Sequence, residues 1–166
     1  GHILGSAIVE IWLGQPGTPA KKLVFSGDLG QPGRPVVNDP TPISHADVLL
    51  VESTYANRAH RGFAETVDEL VDVIEDTIKH RKGNVIVPAF ALGRTQELLF
   101  LLFELTKQGR LADLHVFVDS PLATQATAIT LQHAASLDAE AKALLKGQLQ
   151  GESKLPIHFG FTESVD

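Results

Sequence analysis

The sequence predicts an α/β fold, a parallel sheet with helices on both faces, preceded by a smaller β-rich segment. Three observations predict it. Short branched apolar runs at positions 47–52, 84–87 and 114–118 have the length and composition of strands buried on both faces. Between them, apolar residues recur at helical spacing, so strand and helix alternate as they do in right-handed crossover units. The chain also changes character near Pro40, with only strand-like and turn-like sequence before it.

In chain order, positions 3–13 and 21–26 read as strands, separated by a loop at 14–19 whose glycines and prolines supply turn geometry. Positions 31–42 carry prolines at 32, 35, 40 and 42, which exclude a helix or a central strand and predict an irregular connection. After the strand at 47–52, Phe63, Val67, Leu70, Val71, Ile74 and Ile78 share one helical face, and Gly83 is placed to close that helix. The cationic run Lys79-His80-Arg81-Lys82 falls at its end, where the helix dipole favours positive charge. A strand at 84–87 precedes a very apolar helix around 98–105. The strand at 114–118 runs into Ser120-Pro121, a good N-cap followed by a first helical residue. Beyond Gly147 the signal weakens, with one more strand at 157–161.

Composition bounds the function. At 166 residues and 43% apolar content, the chain has enough material for one sizeable core. No run approaches the roughly 18 consecutive apolar residues of a membrane helix, so no membrane association is expected and the chain reads as soluble. Without cysteine, a metal would have to be held by histidine nitrogen and carboxylate oxygen. A net charge of −6 argues against a free-standing, non-specific nucleic-acid binder, since such binding rests on lysine and arginine neutralising phosphates. Neither a P-loop nor a glycine-rich dinucleotide fingerprint occurs. The chain has no methionine, and its first residues already belong to a motif, so a piece of a longer protein is expected.

The predicted topology puts Asp28, Glu52, residues 90–94 and Asp119 at or just past strand carboxyl ends, the edge where α/β sheets bind ligands. Each has an ordinary alternative. On its own, His2 is an exposed terminal histidine, Asp28 a turn aspartate between glycines, and Glu52 the end of a strand running into a polar loop. Gly93 is equally a tight-turn residue, with Gln96 and Glu97 as first-turn polar groups of a helix.

The motifs taken together weigh against those separate readings. G-H-I-L-G-S-A at 1–7, F-S-G-D-L-G at 25–30, V-E-S-T-Y-A-N-R at 51–58 and P-A-F-A-L-G-R-T-Q-E at 88–97 occur in that order. Together they resemble the β-CASP branch of the metallo-β-lactamase fold, zinc-dependent nucleases that process RNA or DNA ends. The resemblance implies that residues 1–50 are part of a metallo-β-lactamase domain and residues 51–166 a β-CASP domain. It makes His2 a zinc ligand and Asp28 a bridge between two zinc ions. Glu52 becomes a catalytic residue whose carboxylate hydrogen-bonds a histidine from a later part of the protein and holds that imidazole for protonating a leaving oxygen, and Ser53, Tyr55 and Arg94 become substrate contacts. Ala56 stands where the family usually has glycine, a departure that matters only if the position needs a positive φ.

The implied function is hydrolysis of phosphodiester bonds in RNA processing, on single-stranded RNA, by a cytoplasmic enzyme. The alternative is a non-catalytic RNA-binding or assembly module. A plain lactam or thioester hydrolase does not fit, because the motifs at Glu52 and Pro88 belong to the nucleic-acid branch. The family's H-x-H-x-D-H is absent from the chain. His2 and Asp28 alone fall short of the three protein ligands of a catalytic zinc. The piece by itself is therefore expected to bind zinc poorly, to be inactive, and to pair through uncovered strands as a homodimer.

Overall fold

The computed structural model describes residues 1–57, 59, 61–149 and 157–162. Five strands and four α-helices occur among them: β1 (Val9–Leu13), β2 (Lys21–Phe25), β3 (Val48–Leu50), α1 (Phe63–Glu75), α2 (Arg94–Lys107), β4 (Leu114–Val118), α3 (Pro121–Gln132), α4 (Ala139–Leu149) and β5 (Ile157–Phe161). The α/β class holds, but the strands form two small sheets. In the first, β2 lies between an antiparallel β1 and a parallel β3. In the second, β4 and β5 run parallel.

The main core sits where the helical periodicity placed it. Val67, Val71 and Ile74 of α1 meet Leu102 and Leu105 of α2, with Leu111 and Leu114 beneath them. Val116 and Ile157 pack against the same cluster, so α1 and α2 cover one face of the β4–β5 sheet. The other face is open among the described residues: Phe117 is 77% exposed. A smaller cluster of Val36, Leu137 and Ala141 ties the proline-rich connection to α4. There Asp138 N–H donates to Val36 O at 3.0 Å.

Helix ends follow the local chemistry. Ser120 Oγ accepts from Ala123 N–H at 3.2 Å with Pro121 as the first helical residue. A π-helical turn at Asp76–His80 extends α1, and Gly83 N–H closes it on Thr77 O at 3.0 Å. The left-handed residue there is Lys82 (φ 55°) rather than Gly83. Within the basic run, Lys79 pairs with Glu75 and Arg81 with Asp76, in keeping with a structural role. Helix α4, which the sequence reading did not assign, begins where Asp138 Oδ1 accepts from Ala141 N–H at 2.7 Å.

Three sequence expectations need correction. Positions 84–87 form no strand: only Val85 packs on the core, and Ile86 is 89% exposed, because no described strand offers it a ladder. The strand at 47–52 shrinks to β3, whose three residues are each about half exposed. β3 is an edge strand, and its apolar sequence is uncovered among the described residues. The strand at 3–13 begins only at Val9, because the chain before it turns, with Ser6 N–H donating to Ile3 O at 3.1 Å and Gly5 at φ 92°.

Candidate active site

The site is built on the carboxyl ends of β2 and β3, which lie side by side in parallel register, Phe25 opposite Leu50. Ser26 continues the ladder through its N–H to Leu50 O at 2.9 Å. Its buried hydroxyl accepts from Glu52 N–H at 3.1 Å and donates to Gly27 O at 2.7 Å. One serine thus fixes both strand exits. Gly27 (φ 56°) and Gly30 (φ 74°) then fold residues 27–30 back toward the first residues of the chain.

That fold brings three predicted residues to one edge. His2 Nε2 lies 3.7 Å from Asp28 Oδ2, adjacent but beyond hydrogen-bond range. Glu52 Oε1 accepts from Leu29 N–H, the residue after Asp28, at 2.8 Å. This bond, helped by the Thr54 hydroxyl and opposed by partial burial, holds the Glu52 carboxyl below its ordinary value of 4.5. Glu52 is therefore ionised at neutral pH and serves as an acceptor, not a proton donor. Asp28 also borders a cavity of about 780 Å³ walled by Glu10, Lys22, Ser26 and Asp39, which neither His2 nor Glu52 lines.

Backbone glycines make the approach possible. A Cβ on Gly30 would stand 2.7 Å from His2 Cα, and one on Gly93 would stand 2.5 Å from Ile3 Cγ2. The turn before α2 therefore packs directly beside His2's neighbour. Gln96 is buried and holds that turn: its Oε1 accepts from Gly93 N–H at 2.8 Å, and its Nε2 donates to Ala91 O and Thr127 Oγ1.

Arg94 opens α2 with its side chain about half exposed and paired to Glu97. Glu97 also takes Arg34 from the proline-rich connection, at 3.3 Å. Arg34 is further held by Gln31 Oε1 and lies 5.2 Å from the Phe63 ring centre. Ser53 and Tyr55 are exposed in the turn after Glu52. Its left-handed residue is Tyr55 (φ 59°), so alanine at position 56 needs no positive φ. Arg58 and His60, which continue that motif, lie outside the described residues. Asp119 accepts from Thr162 Oγ1 at 3.1 Å and so ties β4 to the end of β5.

Sequence reasoning gave no role to Ser26 or Arg34. A serine beginning S-G-D at a strand end was the available signal for the first; a single arginine among prolines gave none for the second.

Imidazole and carboxylate are donors that zinc accepts. Among the described residues, however, no group of three histidine, aspartate, glutamate or cysteine side chains is arranged to hold a metal. His2 and Asp28 bring one imidazole and one carboxylate side by side, fewer donors than the three protein ligands of a catalytic zinc.

Comparison with known proteins places the chain. Residues 95–165 match the Beta-Casp domain. Over 123 residues it is 40% identical to Ribonuclease TTHA0252 of Thermus thermophilus, covering 74% of this chain and 27% of that protein. Over 159 residues it is 33% identical to the RNase J-like protein of Methanocaldococcus jannaschii, covering 93% of this chain and 36% of the relative.

The chain belongs to the β-CASP family of metallo-β-lactamase-fold nucleases.

A more distant relative is cleavage and polyadenylation specificity factor 73 of Drosophila melanogaster, 31% identical over 133 residues, which are 78% of this β-CASP chain and 18% of that protein. The chain thus spans between about a fifth and a third of the length of these relatives.

Proposed function

We propose that this β-CASP chain is the middle of a zinc-dependent nuclease that hydrolyses phosphodiester bonds during RNA processing. The observation that carries the reading is the pairing of His2 with Asp28 on a turn that Glu52 anchors from the end of the adjoining strand. The names of the relatives, a ribonuclease and an RNase J-like protein among them, support RNA as the substrate.

In this reading residues 1–50 belong to a metallo-β-lactamase domain and residues 51–166 to the β-CASP domain. His2 and Asp28 supply two donors to a two-zinc centre completed by chain outside these residues. When bound, such a metal pair supplies Lewis acidity and an activated water. Glu52 acts as a positioning residue: its ionised carboxylate anchors the Asp28 turn and accepts a hydrogen bond from a histidine elsewhere in the protein. Arg94, at the start of α2, contacts phosphate, with Ser53 and Tyr55 lining the substrate path. Apolar exposure at Trp12, Leu13 and β3 supports self-association of the isolated chain; a clean monomer in solution scattering would count against it.

A second reading is favoured by the incomplete donor set: a non-catalytic RNA-binding or assembly module. Cleavage of single-stranded RNA by the full-length protein, abolished by chelator and by Asp28→Ala, is the expected result, with the 166-residue chain alone inactive. Chelator-insensitive nuclease activity from the pure chain would overturn the proposal, and RNA binding without cleavage by the full-length protein would favour the module.

A further inference from the structure

The β4–β5 sheet carries a second cluster of metal-ligating side chains, unrelated to the edge that bears His2 and Asp28. Period-2 alternation sends Leu114, Val116 and Val118 toward α1 and α2, so His115 and Phe117 occupy the opposite face. The parallel register sets His115 opposite His158 and Phe117 opposite Gly160. Paired residues of neighbouring strands project from the same face, and both histidines are exposed. Their rings stack with centres 4.9 Å apart and planes 26° from parallel.

Phe117 fixes the surroundings. Its Cδ1 would lie 2.8 Å from a Cβ on Gly160, so the ring lies across the glycine and walls one side of the histidine pair. The two imidazoles sit on hydrogen-bonded strands, which limits what they lose in freedom when they converge on a shared ligand.

We propose that His115 and His158 form a two-imidazole site for a borderline divalent cation such as Ni²⁺ or Zn²⁺, with water filling the remaining positions. Imidazole nitrogen suits these ions, whereas Mg²⁺ and Ca²⁺ take oxygen. Two imidazoles on one cation at metal–nitrogen distances of about 2.0–2.1 Å have ring centres roughly 5 Å apart, close to the separation found here. Binding therefore requires the stacked rings to turn about their side-chain bonds until both lone pairs meet the ion, with no movement of the strands. A bound cation would staple β4 to β5, in a two-stranded sheet of the kind that is marginal alone.

The test is calorimetric titration of Ni²⁺, and separately Mg²⁺, into the full chain carrying His2→Ala and His45→Ala, which silences the histidine–carboxylate pairs His2–Asp28 and His45–Asp47. One Ni²⁺ per chain and no Mg²⁺ uptake are expected, together with a rise in thermal midpoint on adding Ni²⁺. Adding His115→Ala or His158→Gln should each weaken Ni²⁺ binding at least about tenfold and abolish the rise in midpoint, because each leaves one donor where two acted together. Adding His133→Ala should change neither. Ni²⁺ affinity unaltered in both the His115 and His158 variants, with their circular dichroism intact, would overturn the site, as would no Ni²⁺ binding in the chain carrying His2→Ala and His45→Ala.

Discussion

His2 lies against Gly30 so closely that a Cβ at Gly30 would stand 2.7 Å from His2 Cα and 2.9 Å from its nitrogen. The turn that carries Asp28 and the segment that carries His2 are therefore packed backbone to backbone, and the pair's 3.7 Å separation depends on a missing side chain. Gly30 also sits at φ 74°, which an L side chain resists.

Gly30→Ala should thus destabilise the chain twice over. Gly33 shares the same backbone region, at φ 73°, but an added Cβ there meets nothing within 4 Å. Gly33→Ala isolates the conformational penalty, roughly 1–2 kcal/mol for a left-handed residue, and Gly30→Ala should exceed it clearly in urea unfolding. Equal losses would mean that the backbone contact with His2 does not form.

Glu52 makes stability depend on acid pH with a defined sign. Its folded carboxyl titrates below 4.5, so the unfolded chain takes up the proton first. Its contribution is complete above the unfolded value and is lost as pH falls through the folded one. Glu52→Gln should be less stable than the native sequence at pH 7, with the difference shrinking as the pH is taken below 4.5. A difference that stays constant in denaturation series across that range would show that the charge is not what Leu29 N–H stabilises.

Gln96 is buried and joins three partners, Gly93 N–H, Ala91 O and Thr127 Oγ1. Gln96→Leu keeps the volume and strands those groups, at a loss of about 1–3 kcal/mol. Hydrogen exchange at Gly93 N–H should accelerate in the variant. Unchanged protection there would place the turn's rigidity elsewhere.

Much of this architecture was legible because the signals were local. The face of α1, the Ser120 cap and strands β2 and β4 follow from periodicity and capping chemistry within a few residues. The segment at 84–87 failed for the opposite reason: an apolar run states that burial is favourable but not whether a partner strand is present, and Ile86 has none among the described residues. At the site, the motifs named His2, Asp28 and Glu52, but no sequence pattern shows that Glu52 would grip Leu29 N–H or that Ser26 would join two strand exits. Arg34 reaches Glu97 across a long stretch of chain, a tertiary pairing without local signature.

The most direct test of the central claim is the zinc content of the full-length protein, measured by elemental analysis after exhaustive dialysis, for the native sequence and for His2→Ala and Asp28→Ala. Two zinc ions per chain in the native protein, with at least one lost in each variant, is the predicted result. Two zinc ions retained in both variants would contradict it.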